Sequence, residues 1–239
     1  MKSLFRWSWQ KHKMNRETIC APDTIIKCES LKLLNDPPLD WSKHCRHPVL
    51  VIVGDGNTMP HDLSVFRSWD IPHDIYSVNR SMLYFEEQVD HWCAIDSEES
   101  AWFMENINPK VSPEKPILRH TIGYFPGAYD VYWEQDYPFT DEIQRRIWIG
   151  NSGYFAVLTA IHMGYEKIIL LGMPLNHEPH WYEKPNEPPP MWAGKAFTQW
   201  VDFKLKRPEA ADKVRAMPAN PSYSAFILGE ATKKWVISK

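Results

Sequence analysis

Four places in this chain put glycines or small polar residues where a bound anion or ligand can be met. Gly54-Asp55-Gly56-Asn57-Thr58-Met59 follows an apolar run, Asn79 and Asp96 each end a β-rich run, and Asn151-Ser152-Gly153 opens a stretch of helical period. A helix start presents unpaired N–H groups and the positive end of the peptide dipoles, a ready site for phosphate or carboxylate. Glycines after a buried strand allow the backbone itself to approach such a group. Downstream, the segment Pro174 to Pro190 carries His177, His180 and Tyr182, side chains that can move a proton or hold an oxyanion.

The elements that must position these residues are legible in the apolar pattern. Val49 to Val53 is a continuous apolar run bounded by Pro48 and Gly54, as a fully buried parallel strand should be, and Leu63 and Phe66 mark a short helix behind the glycine loop. The runs 73–79, 89–96 and 117–123 read as further strands. Ile149 to Met173 reads as turn, helix, turn and strand: Asn151 or Ser152 caps the helix, Tyr154, Val157, Leu158 and Ile161 share one face, and Gly164 ends it. Phe197, Trp200 or Val201 and Lys204 sit at helical spacing, and 213–217 predicts a last short strand. The aromatic-rich segment Gly123 to Ile149 is expected as a long, partly helical excursion over the cleft. Strands alternating with helices predict an α/β fold, a Rossmann-like, mostly parallel open sheet with helices on both faces. Ligands in such sheets lie beyond the carboxyl ends of the strands, which makes Asn79 and Asp96 site candidates by topology.

Residues 1–47 lack a sustained period and are read as an N-terminal extension; 48–239 form the domain. A chain of 239 residues can bury a sizeable core as one domain. Its net charge of -3 gives no general attraction to nucleic acid, and its longest apolar runs are too short to cross a bilayer. Cys20, Cys28, Cys45 and Cys93 form no CxxC pair, which fits a reducing, cytoplasmic compartment, and with His44 and His47 they lack the close ligand pairs of a structural zinc site. A dinucleotide fingerprint requires a third glycine where Met59 stands, which argues against NAD or FAD.

GDGNTM after the first strand, SVN after the second, CAID after the third and NSGYFAVLTAIHMGYEKIILLGM together resemble the superfamily that joins bacterial CMP-sugar-dependent sialyltransferases to 6-hydroxymethylpterin diphosphokinase-like proteins, among them motility-associated putative glycosyltransferases. The likeness runs over about residues 48 to 220. In the first loop Asn57 and Thr58 replace the family's Pro and Ser; Ser152, Gly153, Gly164, Tyr165, Ile168, Leu170 and Gly172 match the late unit. The resemblance implies a glycosyltransferase-like enzyme with a CMP-type nucleotide-sugar donor and a small-molecule or glycan acceptor. The donor is then held by Gly54, Asp55, Gly56, Asn57, Thr58, Asn79, Asp96, Ser152 and Gly153, with Tyr182 steadying its phosphate. The family's catalytic histidine has no counterpart around Ala193 to Lys195, and His177 and His180 are the substitutes at hand. The alternative is transfer of diphosphate from ATP to a hydroxymethyl acceptor, which requires Mg2+ and carboxylates such as Asp96 and Asp55. A third reading is a nucleotide-binding or interaction protein without catalysis.

Overall fold

The computed structural model describes residues 31–35, 37–85, 89–95, 117–122, 129–135, 151–176, 178, 180, 193–218 and 222–238. Eight strands form one sheet in the order β1-β6-β5-β4-β3-β2-β7-β8. They are β1 (Leu31–Leu33), β2 (Val49–Val53), β3 (Asp74–Val78), β4 (His91–Cys93), β5 (Leu118–Ile122), β6 (Val131–Gln135), β7 (Lys167–Leu171) and β8 (Val214–Ala216). The seven strands from β2 to β8 are mutually parallel, and β1 adds antiparallel to β6 at one edge. The helices are α1 (Met59–Arg67), α2 (Ser152–His162), α3 (Ala193–Lys206), α4 (Pro208–Ala211), α5 (Tyr223–Leu228) and α6 (Lys233–Ile237).

Every residue of β2 and β3 is buried, because helices cover both faces of the sheet. Leu50, Ile52, Ile168 and Leu170 point to one face and pack with Tyr154, Phe155, Val157 and Leu158 of α2 and with Trp200 and Phe203 of α3. Val51, Val53, Ile169 and Leu171 point to the other and pack with Met59, Leu63 and Phe66 of α1 and Val236 of α6. Each such side chain contributes about 1.5–3 kcal/mol through burial. No helix among the described residues is long and apolar enough to cross a membrane.

Two strands lie where the sequence pattern did not place them. The segment Gly123 to Ile149, expected as a partly helical excursion, contributes β6, with Val131 and Trp133 wholly buried; residues 123–128 and 136–150 lie outside the described set. The stretch read as an N-terminal extension contributes β1 and a 3-10 turn at Trp41–Lys43, whose Trp41 stacks on Trp133 at 5.9 Å. Neither strand has an internal period that announces it, since each is defined by its neighbours.

Opposite the carboxyl ends of the strands, a chain of hydrogen bonds crosses the sheet. Trp133 Nε1 donates to His120 Nδ1 (3.1 Å), and an indole can only donate, so His120 carries its proton on Nε2. It donates to His91 Nδ1 (3.1 Å), His91 Nε2 to the Tyr165 hydroxyl (3.0 Å), and Tyr165 to Asp74 Oδ2 (2.9 Å). Burial holds both histidines neutral, pushing His91 down to about 3 and His120 well below its usual value.

These groups set the acid response of the fold. His91 and His120 have folded pKa values below the unfolded one, so stability falls as pH drops below about 6.5. Asp55 and Asp90 are pushed by burial up to about 6, so protonation favours the folded state as pH falls from about 6 to about 4. The two effects oppose each other in that window; below about 4 the gain from Asp55 and Asp90 is exhausted while the histidine penalty still grows. Urea midpoints should therefore change little between pH 6 and 4 and drop steeply below; His91→Gln should flatten the lower limb, and an unchanged limb would show that another group controls it.

Candidate functional site

The strand order reverses between β2 and β7, where the chain leaving β2 enters α1 on one face and α2 precedes β7 on the other. This is the place at which open parallel sheets carry their ligand crevice. The loop following β2 is bound to the loop following β7, backbone against backbone. Gly54 N donates to Leu171 O (2.9 Å) and Gly56 N to Gly172 O (2.8 Å). A Cβ on Gly56 would stand 2.6 Å from Gly172 O, and one on Gly54 would stand 2.7 Å from Met173 Cγ. The buried Asp62 of α1 fastens the junction, accepting from Gly172 N (3.0 Å) and from Thr58 Oγ1 (2.8 Å). The loop glycines thus serve the approach of two strand ends, and the amides of Gly54 and Gly56 are committed to carbonyls.

The end of β3 forms the second wall. Asn79 has φ 52, a left-handed conformation that is uncommon outside glycine but tolerated by asparagine, and it turns the chain into a 3-10 helix at Asn79–Tyr84. That turn aims the amides of Arg80 and Ser81 at the Asp55 carboxylate, one to each oxygen, at 3.3 Å. Ser81 Oγ meets Val53 O at 2.7 Å and ties the two strand ends together. Burial raises Asp55 to about 6, against the opposing influence of His180, the two amides and Arg80. The Asn79 carbonyl accepts from Trp92 Nε1 (3.1 Å), whereas its side-chain Oδ1 is buried with no partner among the described residues.

The start of α2 forms the third wall. Asn151 is its N-cap: Oδ1 accepts from Tyr154 N (2.8 Å), and Nδ2 donates to Gln199 Oε1 (3.3 Å). Ser152, 4 % exposed, accepts from Ile95 N through Oγ (3.2 Å) and so anchors the helix start to the end of β4. A Cβ on Gly153 would meet Met173 Sδ at 2.9 Å. The Met173 side chain therefore lies between Gly54 and Gly153, the two glycines that the sequence assigned to one anion.

His180 reaches this crevice through a backbone bridge with Gly56. Asn57, exposed, stands opposite the buried Asn176, whose Nδ2 is 3.5 Å from its Oδ1. Gly54, Asp55, Gly56, Asn57, Thr58, Asn79, Ser152, Gly153 and His180 are brought together; Asp96, His177 and Tyr182 lie outside the described residues. Arg80, Met173 and Asn176 belong to the same crevice and were not singled out in the sequence. Arg80 was discoverable from its place behind a polar strand end; Met173 and Asn176 carry no local signal.

Each Asp55 oxygen already accepts an amide, and burial penalises its charged form, so this carboxylate is poorly placed to hold Mg2+. Among the described residues no group of three or more His, Cys, Asp or Glu side chains is arranged to hold a metal ion. No family model matches the chain, and no curated protein matches it.

Proposed function

We propose that this crevice binds a nucleotide-sugar, with a CMP-type donor favoured, and that the protein is a glycosyltransferase-like enzyme acting on a small-molecule or glycan acceptor. The observation that carries the reading is Asn79: a residue in left-handed conformation at the end of β3, beside the switch point, whose side-chain oxygen is buried with no partner among the described residues. Such an acceptor is costly until a ligand donor meets it, and a nucleoside offers amine and hydroxyl donors. The start of α2, tied by Ser152 to the chain after β4, brings the positive end of a helix dipole to the same strand ends and favours the phosphate.

In the transfer step the acceptor hydroxyl oxygen attacks the anomeric carbon, the bond from that carbon to the phosphate oxygen breaks, and the nucleotide leaves with the electron pair. His180 takes the hydroxyl proton. Diphosphate transfer from ATP is the less favoured reading, because Asp55 is poorly suited to Mg2+.

Calorimetry with CMP, CDP, UDP and ATP, with and without Mg2+, separates the readings. Metal-independent binding of CMP, weakened about tenfold by Asn79→Gly, is the expected result. Glycine keeps the positive φ while removing the acceptor, so a folding defect does not confound the measurement. Mg2+-dependent ATP binding instead supports the diphosphokinase reading, and absence of nucleotide binding removes both.

A further inference from the structure

The candidate base and the buried carboxylate of the glycine loop are distant in sequence and adjacent in the fold. His180 forms its backbone bridge with Gly56, the residue following Asp55. Asp55 is 6 % exposed, and its two oxygens are oriented by the amides of Arg80 and Ser81. The turn at Asn79 that supplies those amides is left-handed, so the backbone adopts an uncommon conformation in the segment that fixes this carboxylate. An asparagine at position 55 could accept only one of the two amides, its Nδ2 being a donor; a carboxylate supplies both acceptors and a charge.

We propose that Asp55 is a positioning residue for His180, holding the imidazole in place and stabilising the imidazolium formed when it takes the acceptor's proton. This assignment rests on the transferase reading for its purpose, though not for its geometry. It moves Asp55 from the nucleotide to the base: the carboxylate oxygens meet the two amides, the backbone bridge sets His180 beside the next residue, Gly56, and the nucleotide is left to Asn79 and the start of α2. The physical logic is that of an acid, histidine and hydroxyl relay, in which the carboxylate remains ionised and orients the ring. Burial raises Asp55 to about 6, and the charge of His180 is the leading influence that lowers it. Among the described residues, the other ionisable groups facing Asp55 are Arg80, which also lowers it, and the buried Cys93 thiol, whose own proton Asp55 helps to retain.

The test reads Asp55 directly. In full-length protein labelled with 13C at the aspartate carboxyls, the Asp55 resonance should titrate near pH 6 in wild type. In His180→Gln its midpoint should rise by about one pH unit, making Asp55 about ten times weaker as an acid. His61→Gln is the control, since His61 acts on Asp62 instead. An unmoved Asp55 midpoint in His180→Gln overturns the assignment. A second arm uses CMP and a CMP-sugar: Asp55→Asn should keep CMP affinity within twofold while lowering kcat at least tenfold. Weakened CMP binding with unchanged kcat would instead make Asp55 a nucleotide ligand and overturn the proposal. If wild-type protein binds no CMP, the transferase reading fails, and the carboxylate titration still decides whether Asp55 and His180 are coupled.

Discussion

Gly172→Ala is expected to cost about 2–5 kcal/mol of folding stability and to open the crevice. Gly172 has φ 61, and a Cβ there would stand 2.5 Å from the Cβ of Met59 and 2.6 Å from the carbonyl oxygen of Gly54. Neither atom can rotate away, since one is fixed to the α1 backbone and the other is backbone itself. The left-handed conformation costs an alanine about 1–2 kcal/mol, and forced overpacking typically adds 1–3. Because Gly172 O receives Gly56 N and Gly172 N donates to Asp62, a shift at this residue would displace the loop carrying Asp55 and the bridge to His180. Gly164→Ala provides the comparison: φ is 91, and nothing lies within 4 Å of its Cβ position, so that variant bears conformational strain alone. Urea denaturation of both variants measures the difference. Equal losses would show that residue 172 needs glycine only for its backbone angle.

Arg46→Leu should be the most damaging change at the opposite end of the sheet, lowering stability by about 2–4 kcal/mol at pH 7. Arg46 Nε lies 3.5 Å from Asp74 Oδ1, and its Nη2 is paired with Asp90. Asp74 is wholly buried and Asp90 is 7 % exposed, so both charges depend on this guanidinium. Asp74 Oδ2 retains the amides of Arg46 and His47 and the Tyr165 hydroxyl, but Oδ1 has no hydrogen-bond partner among the described residues. Removing one partner of a buried pair leaves an uncompensated charge, typically at a cost of 3–5 kcal/mol; the half-exposed Arg46 side chain brings the expectation below that. The loss should shrink at pH 5, because Asp90, raised by burial to about 6, is then protonated. A loss independent of pH would mean that the packing of the arginine stem, and not its charge, holds this corner.

Much of the frame was legible in the sequence. Val49 to Val53, Ile168 to Leu171 and the face Tyr154, Val157, Leu158, Ile161 are local patterns, and local patterns follow from burial on two faces or one. Asn151 as a cap and Gly164 as a stop, with φ 91, are equally local. β6 was hidden because Val131-Tyr132-Trp133 acquires its strand character from β5 and β1 beside it. β1 was hidden for the same reason, in a stretch too short for a period of its own.

The sequence by itself determined the parallel α/β sheet, and it named nine of the residues that meet near the carboxyl ends of its strands. Only the tertiary structure decided what those residues do there. Gly54 and Gly56 read as phosphate loops, yet their amides meet Leu171 and Gly172; Gly153 and Gly54 flank Met173; Asp55 is turned to the amides of Arg80 and Ser81 and lies under the influence of His180. The physical reason is the range of the interactions. Apolar periods and caps are settled within a few residues, whereas the partner of a buried donor or carboxylate is fixed by strand order and register across the whole sheet.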